Sequence, residues 1–388
     1  MTRGGQMSRE FYCDGHVEVR HCPGGTGDPR HVVTFDHFQD EQTFERPAFS
    51  EHFFASRNIA ATHVLTRTNA WFQYPEFDIV LAAVREKTRS ATRILAYGSS
   101  MGGYGAVRFA DAVGASQVIA LSPQYSIDRQ VMPNERRWLS HSRRTRFIAA
   151  RNGPIACSAN VLICYDPHGP DRDHALRIAQ DIPVRMLAVP YGGHPVGSFL
   201  AEAGLLAQLV LDMLDGGADL PGLEQACRLA RRHSANYMSA LAEAQPAKRG
   251  ALALRIATPA VILQPHHPPA WHFLALRLHA LGNMDSAIAV YRYCVALERT
   301  PAYLFRYATM LLEAGNADEA LGVARVLLGD FGVSPHYHYL AFRALLAMNQ
   351  PRLSAGHLYA ALVADRSNPV YWRAIGRIMQ KIARNMIS

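Results

Sequence analysis

The sequence of 388 residues has few of the features that mark special classes of protein. No segment approaches the run of about 18 uncharged apolar residues that a membrane-spanning helix needs, and the first thirty residues contain no basic stretch followed by an apolar one. We therefore expect a soluble protein that is not exported. Hydrophobic residues make up 49% of the chain and charged residues 19%, which excludes a disordered chain or a coiled coil.

Cysteine is also sparse, and its six copies show no CxxC spacing. We expect neither a metal nor another cofactor. Reduced thiols fit a cytoplasmic protein, which is the location that we expect. The cysteines are Cys13, Cys22, Cys157, Cys164, Cys227 and Cys294.

Acidic residues are fewer than basic ones, since 32 Asp and Glu stand against 40 Lys and Arg and give a net charge of +8. This excess is modest for the length of the chain, and most of the basic residues are isolated arginines on helix-like segments. No basic motif interleaved with aromatic residues accompanies them. We infer a solvated basic surface and do not expect nucleic acid as a partner.

Short β-rich runs alternate with helical stretches from His31 to about Asp215. The β-rich runs are continuous in Val, Ile and Leu, which is typical of strands buried on both faces. The pattern predicts an α/β domain with a mostly parallel sheet and helices on both faces. The predicted strands are residues 31–35, 62–66, 93–97, 117–121, 161–165 and 184–189, and the predicted helices are 77–87, 104–113, 173–180 and 198–214.

A segment rich in Gly, Pro and Asp at 215–222 ends this pattern, so we place a domain boundary between residues 216 and 217. Beyond it, matching residues recur 33 and 35 positions apart, in pairs of predicted helices joined by short turns. A further start at 372–376 and a degenerate first unit at 237–265 extend the repeat. The matching sets are Trp271, Leu304 and Tyr339; Ala287, Ala320 and Ala355; and Tyr291, Ala324 and Tyr359.

The repeat resembles tetratricopeptide repeats (TPRs), which have a period of about 34 residues. This resemblance implies that residues 217–388 form an all-α solenoid. Such a solenoid presents a curved surface and has no chemistry of its own. We therefore expect a protein partner to bind there.

One local motif carries chemistry, Gly98-Ser99-Ser100-Met101-Gly102, between a predicted strand and a predicted helix. A nucleophilic serine on so sharp a turn needs small residues two positions before and after it, and Gly98 and Gly102 meet that need. The turn also aims the Met101 N–H at the position where an oxyanion forms. A phosphate-binding loop fits less well, because no Lys-Ser or Lys-Thr pair follows the glycines. Residues 31–214 therefore resemble a compact α/β-hydrolase with Ser100 as its nucleophile.

This resemblance implies an acid and then a histidine after the serine in chain order. We predict His194 as the base, because it lies in a glycine-flanked loop directly after the last predicted strand. The acid is expected after residues 161–165, where Asp166, Asp171 and Asp173 all occur. Asp171 matches the position of the acid in the α/β-hydrolases, and we expect Asp173 to cap the following helix. All three remain open from the sequence.

Two further features depend on the same resemblance. The second oxyanion donor is expected in the loop after residues 31–35, where many relatives carry glycine and this chain has none, and we assign it to the His37 N–H. His168 and His174 compete with His194 for the role of base, although both lie where the acid belongs.

Residues 122–160 form an insert at the position of a lid, with seven arginines against two acidic residues. A basic lid would favour an anionic or polar substrate, and nearby aromatic residues could face a sugar ring or an acyl chain. The alternative is a solvated helical hairpin whose arginines serve solubility. The arginines are Arg129, Arg136, Arg137, Arg143, Arg144, Arg146 and Arg151, and the aromatic residues are Trp71, Phe72, Tyr74 and Trp138.

Together these features predict a serine esterase or acyltransferase that acts through an acyl-Ser100 intermediate. A looser resemblance, carried by residues 66–76 and 97–106, is to bacterial hydrolase-like proteins associated with cell-surface glycans, and it implies a carbohydrate or other polar ester. The alternative is a non-catalytic TPR scaffold that carries a degenerate hydrolase fold. The presence of Ser100, His194 and a candidate acid together favours the enzyme.

Overall fold

The computed structural model describes residues 9–39 and 43–387. Its contacts divide the chain into two compact units, Met1–Tyr237 and Met238–Ser388. The predicted fold class, an α/β-hydrolase-like unit followed by TPR-like helices, is confirmed. The division follows Tyr237 rather than residue 216, because the helix Leu220–Ala230 buries Cys227 in the core of the first unit.

A single sheet forms the centre of the first unit. Its strands are β1 (Arg9–Cys13), β2 (Val17–Cys22), β3 (Arg30–Phe35), β4 (Ala60–Thr66), β5 (Arg93–Ser99), β6 (Gln117–Leu121), β7 (Asn160–Tyr165) and β8 (Val184–Ala188). Their order across the sheet is β1-β2-β4-β3-β5-β6-β7-β8. The pairs from β4 to β8 are parallel, as the apolar runs predict, and β2 pairs antiparallel with both β1 and β4.

The sequence analysis does not predict β1 and β2. Charged and histidine residues interrupt their apolar residues, as in the VEVRHC sequence of β2, so no continuous apolar run marks them. The buried Val17 and Val19 alternate along β2 and pack into the core on one face of the sheet. These two strands therefore extend the parallel part of the sheet with an antiparallel edge.

Helices cover both faces of the sheet, as the sequence predicts. In chain order they are α1 (Glu51–Ala55), α2 (Phe77–Thr88), α3 (Met101–Arg108), α4 (Ala110–Val113), α5 (Leu139–Arg144), α6 (Ala149–Asn152), α7 (Asp171–Asp181), α8 (Gly197–Glu202), α9 (Leu206–Leu214) and α10 (Leu220–Ala230). Neighbouring strand residues such as Val32 and Val33 belong to two different apolar cores. One core holds α2, α3, α4 and α7, and the other holds α1, α8, α9 and α10.

The insert between β6 and β7 is mostly irregular and contains only the short helices α5 and α6. The helical hairpin that the sequence offered as an alternative is therefore wrong, although five of the seven arginines are exposed to solvent, as that alternative expected. Arg151 is buried, and it pairs with Asp78 at 2.9 Å. Arg137 pairs with Glu135 and Asp171. Two of the seven arginines therefore hold the insert to the rest of the unit.

The second unit is helical and repetitive. Pro268, Pro301, Pro335 and Pro369 each begin a helix, at intervals of 33, 34 and 34 residues. None of the helices in the described residues combines the length and the apolar composition that a bilayer crossing requires. The division falls within α11 (Ala235–Glu243), and the helices after it are α12 (Gly250–Leu263), α13 (Pro268–Ala280), α14 (Met284–Leu297), α15 (Pro301–Glu313), α16 (Ala317–Asp330), α17 (Pro335–Ala347), α18 (Pro351–Ala364) and α19 (Pro369–Ile387).

The third repeat is displaced by one residue from the prediction. Ala320 is fully buried between helices, but Ala355 is exposed and the Tyr359 side chain is 71% exposed. Ser354 and Leu358 take the buried positions instead. The reason is that α17 begins 34 residues after α15, whereas the prediction used an interval of 35. The predicted positions that are wrong are Tyr339, Ala355 and Tyr359.

Candidate active site

Ser100 lies on the sharp turn between β5 and α3, with backbone angles φ 55° and ψ −115°. Such a conformation costs a non-glycine residue about 1–3 kcal/mol. The Ser100 N–H donates to the Leu121 carbonyl at 2.8 Å and holds the turn. A Cβ on Gly98 would lie 2.1 Å from the Gly102 carbonyl oxygen, and one on Gly102 would lie 2.2 Å from the Phe35 carbonyl oxygen. Both glycines of the motif are therefore sterically required.

Three of the predicted site residues form one hydrogen-bonded chain. The Ser100 Oγ lies 3.0 Å from His194 Nε2, and His194 Nδ1 lies 2.7 Å from Asp171 Oδ2. Asp171 is the first residue of α7 and is 1% exposed. Such a chain can pass a serine hydroxyl proton to the imidazole while the buried carboxylate holds the ring in the required tautomer.

Asp166 lies in the same region but has a different role. Its carboxylate accepts the backbone N–H of Tyr191 at 3.0 Å and that of Gly193 at 3.1 Å. These bonds tie the loop that carries His194 to the end of β7. Asp166 therefore holds the loop of the histidine and, within the described residues, makes no hydrogen bond to its ring.

The other residues that the sequence offered as the acid or the base do not belong to the hydrogen-bonded chain of Ser100, His194 and Asp171. Asp173 is exposed, and the expectation that it caps a helix is wrong, because α7 begins at Asp171 and has no side-chain cap. His174 is buried, and its Nδ1 accepts the Tyr125 N–H at 3.0 Å. His168 stacks on a tyrosine ring in the loop before His194, with ring centres 4.6 Å apart.

The insert holds Asp171 from its other side. Arg137 Nη1 donates to Asp171 Oδ1 at 2.7 Å, and Arg137 Nε donates to the two Glu135 oxygens at 3.1 and 3.0 Å. Glu135 in turn accepts from His174 Nε2 at 2.9 Å. Burial raises the pKa of Asp171, but His194 and Arg137 outweigh it and hold this pKa below its usual value. Asp171 is therefore ionised at neutral pH, as an acid that orients a histidine must be.

Burial and charged or hydrogen-bonding neighbours also shift the pKa of Glu135. Burial raises its pKa, but the hydrogen bond from His174 and the contacts with Arg137 lower it to about 2. The sequence analysis missed this network. It counted Arg137 only as one of several lid arginines, and no motif connects residues 135 and 137 to an acid more than thirty positions later.

Gln124 is a second contact of Ser100 that the sequence did not indicate. Its Nε2 donates to Ser100 Oγ at 3.0 Å, and its Oε1 accepts from Trp71 Nε1 at 3.1 Å. Gln124 and Trp71 are both buried. Because the serine oxygen accepts from Gln124, its own proton is left to donate to His194.

The two predicted oxyanion donors lie on neighbouring elements. Met101 begins α3, and its N–H has no hydrogen-bond partner within the described part of the chain, as expected in a first helical turn. The end of β3, which His37 follows, lies against the start of α3, as the close approach of Gly102 to Phe35 shows. The His37 N–H also has no partner among residues 9–39 and 43–387. Both amides are therefore without a partner in the described structure, as donors to an oxyanion must be.

The aromatic residues that the sequence proposed as ligand faces divide into two groups. Trp71, Phe72 and Tyr74 are buried in the apolar core, so this part of the prediction is wrong. Trp138 is partly exposed, and its ring centre lies 6.5 Å from that of His194 and 5.3 Å from that of Trp71. A ligand at Ser100 would therefore meet Trp138 and not the other three.

One group among the described residues has donor atoms close enough to hold a metal ion. The ligand atoms of Glu10, Cys13 and Glu18 lie within 4.8 Å of one another on β1 and β2. Glu10 and Cys13 are exposed, and Glu18 pairs with Arg20. Exposed acidic groups often lie this close without a metal, so the group supports no functional conclusion.

Comparison with known proteins gives resemblances to each half of the chain. No protein-family model matches it, and no curated protein matches it. The capsule O-acetyltransferase of Neisseria meningitidis serogroup A is 13% identical, with a TM-score of 0.39 over 51% of this chain and 93% of that one. The esterase Est2 of Thermogutta terrifontis is 15% identical, with a TM-score of 0.39 over 55% and 91%. The TPR protein TTC0263 of Thermus thermophilus is 16% identical, with a TM-score of 0.33 over 48% and 96%. None of these likenesses bears on the activity.

Proposed function

We propose that this protein is a serine esterase or acyltransferase that acts through an acyl-Ser100 intermediate. The observation that supports this most strongly is the hydrogen-bonded chain from Ser100 Oγ through His194 to the buried Asp171, at 3.0 and 2.7 Å. Ser100 also has a strained backbone, and strain of this kind is concentrated at functional sites. A degenerate hydrolase fold would have no need of either feature.

In the acylation step, Ser100 Oγ attacks the ester carbonyl carbon while His194 Nε2 takes the hydroxyl proton. Asp171 accepts the Nδ1–H of His194 and stabilises the imidazolium. The carbonyl oxygen becomes an oxyanion and accepts hydrogen bonds from the N–H groups of Met101 and His37. The bond to the alcohol then breaks, and the alcohol leaves with the proton from His194.

In the second step, water or another alcohol attacks the carbonyl carbon of acyl-Ser100. His194 takes a proton from the attacking group and returns it to Ser100 Oγ as the acyl bond breaks. Attack by water gives hydrolysis, and attack by an alcohol gives acyl transfer. Gln124 donates to the same oxygen and so stabilises the negative charge that develops on it as it leaves.

In this proposal the helical unit is a binding module. The main buried cluster of this unit consists mostly of Ala, Leu and Tyr, and its one thiol, that of Cys294, is fully buried and donates to the Pro268 carbonyl. Stacked repeats present an extended surface that suits a protein partner. We therefore assign the chemistry to the first unit and partner binding to the second.

The proposal is tested by hydrolysis of p-nitrophenyl acetate. Ser100→Ala and His194→Ala should each lower kcat about 10³-fold or more, and the double variant should be no worse, because the two residues act as one unit. Ser99→Ala is the matched control, since it removes the neighbouring hydroxyl of the same motif, and it should retain activity. A wild-type rate in Ser100→Ala would contradict the proposal.

A further inference from the structure

A cleft of about 350 Å³ lies in the first unit, between the segment before α2 and the end of α5. Two arginines line it, and no Asp or Glu does. The lining residues are Thr68, Asn69, Ala70, Gln73, His141, Arg144, Thr145 and Arg146. Its charge is therefore positive and its walls are polar.

Most of the polar side chains in this cleft already have partners within the protein. Asn69 accepts the Gln39 N–H at 2.9 Å and donates to the Gln39 carbonyl at 2.6 Å. Gln73 donates to Tyr104 Oη at 2.8 Å and accepts the Ile148 N–H at 2.9 Å. The two threonine hydroxyls of the lining are paired as well. These groups fix the shape of the cleft, and they do not need a ligand to satisfy them.

The two arginines differ from the rest of the lining. Arg144 donates through Nε to the Ser140 carbonyl at 3.1 Å, which leaves its terminal nitrogens without a partner in the described chain. Arg146 has no hydrogen bond or ion pair with any described residue. Both are exposed. Arg137 and Arg151, by contrast, are held in ion pairs, so Arg144 and Arg146 are the guanidinium groups of the insert that a ligand in the cleft can reach.

The cleft shares a wall with the candidate active site. The His141 ring packs against Trp71 and Trp138, with ring centres 6.0 and 6.2 Å apart. Trp138 contacts the His194 ring, and Trp71 is bonded to the glutamine that contacts Ser100. Burial and the charge of Arg144 lower the pKa of His141, so its ring is neutral at pH 7 and the arginines supply the charge.

We propose that this cleft binds an anionic group of the substrate, a carboxylate or a phosphate, through Arg144 and Arg146 while the ester carbonyl lies at Ser100. Guanidinium groups match the oxygens of both anions in a bidentate geometry. Because the other polar groups of the lining are paired within the protein and the aromatic wall is uncharged, Arg144 and Arg146 are the groups of the lining that can make a charged contact with the ligand. The inference rests on the proposed function, which supplies the ester, and it names the class of substrate.

The test compares charged esters with their methyl-capped, neutral equivalents. One pair carries the anion on the acyl side, p-nitrophenyl hydrogen succinate against p-nitrophenyl methyl succinate. The other carries it on the alcohol side, 4-acetoxybenzoate against its methyl ester. We expect the wild type to prefer the charged member of one pair by about tenfold in kcat/KM. The pair that shows the preference tells which side of the ester carries the anion.

The Arg144→Gln/Arg146→Gln double variant should lose this preference because its KM for the charged ester is higher than that of the wild type. It should hydrolyse the neutral esters at the wild-type rate. Arg129→Gln/Arg143→Gln is the matched control, because it removes the same charge from exposed arginines of the insert that do not line the cleft. The control should keep the preference.

Three results would overturn the inference: no preference in either pair, a preference that survives Arg144→Gln/Arg146→Gln, or an equal loss in the control. If the neutral esters are still hydrolysed in a Ser100-dependent way, only the role of the cleft fails and the proposed function stands. If the wild type hydrolyses neither these four esters nor p-nitrophenyl acetate in a Ser100-dependent way, both fail.

Discussion

The two units of the chain bury different kinds of side chain. Among the described residues, all the buried Asp, Glu, Arg and His side chains lie in the first unit. The buried polar residues of the second unit are Ser239 and Ser354, and the rest of its interior is apolar. The first unit thus keeps charges inside, where each needs a partner, and the second is held together by the packing of small and apolar side chains.

This difference indicates where the chemistry lies. Burying a charge is costly unless it is paired and hydrogen-bonded, and the first unit meets this need with the chain from Ser100 to Asp171 and the support of Arg137 and Glu135 behind it. In the second unit a 34-residue period sets which positions are buried. We therefore expect the first unit to be affected most by substitutions that change a buried charge, and the second by substitutions that change the volume of a buried side chain.

The largest effect is expected from removing the charge of Asp171, the carboxylate that orients His194. Asp171→Asn should fold normally and lower kcat toward p-nitrophenyl acetate by about 10² to 10⁴-fold, because the amide favours the wrong histidine tautomer. Asp173→Asn removes an exposed carboxylate from the same turn of α7 and should leave kcat unchanged. The acid would be misassigned if Asp171→Asn were silent while Asp173→Asn or Asp166→Asn abolished turnover.

The second prediction concerns the boundary between the units. A chain that ends after Tyr237 keeps α10 and the burial of Cys227, whereas one that ends after Gly216 loses both. We expect both to hydrolyse a small ester, and we expect the shorter one to be less stable by about 3 kcal/mol in urea unfolding. Equal stability would place the boundary at 216, as the sequence composition suggests.

The third prediction tests volume in the second unit. Ala320→Leu should destabilise the helical unit by about 1–3 kcal/mol, because the position is fully buried and overpacking strains a filled core. Ala355→Leu makes the same change at an exposed position and should be nearly neutral. Thermal unfolding followed by circular dichroism measures both, and ester hydrolysis should be unchanged in each. A larger loss of stability in Ala355→Leu than in Ala320→Leu would contradict this assignment and support the 35-residue interval of the sequence analysis.

The smallest effect concerns the pH dependence of the first unit. The pKa of Glu135 is lowered from its ordinary 4.5 to about 2, so the fold favours the ionised form. Its contribution to stability is present above pH 4.5 and is lost as the pH falls from 4.5 toward 2. Glu135→Gln lacks this contribution, so its melting temperature should fall less than that of the wild type between pH 5 and pH 3. Parallel curves would show that Glu135 does not contribute in this way.

The sequence predicted the features whose signal is local. The strand at residues 117–121 and the turn at Ser100 lie where their patterns place them, because an apolar run or a glycine spacing is complete within a few positions. Gln124 and Arg137 could not be predicted, since their roles depend on Trp71 and Asp171, which lie far away in the chain.

Two other predictions failed for reasons of context. Phe72 and Tyr74 carry ring chemistry that suits a ligand or a core equally, and only the packing of the sheet shows that they are core residues. In the third repeat a serine, Ser354, occupies the position where the other repeats have alanine, so the neighbouring Ala355 gave a better match to the pattern and the wrong register.

The central claim is that Ser100 is an activated nucleophile, and covalent labelling tests it most directly. Fluorophosphonates react with serines that a neighbouring base activates. After exposure to such a probe, the intact mass of the wild-type protein should rise by a single adduct, and peptide mapping should place that adduct on Ser100. Ser100→Ala should show no adduct, and His194→Ala should react much more slowly. A wild-type protein without an adduct, or a Ser100→Ala variant labelled like the wild type, would contradict the account.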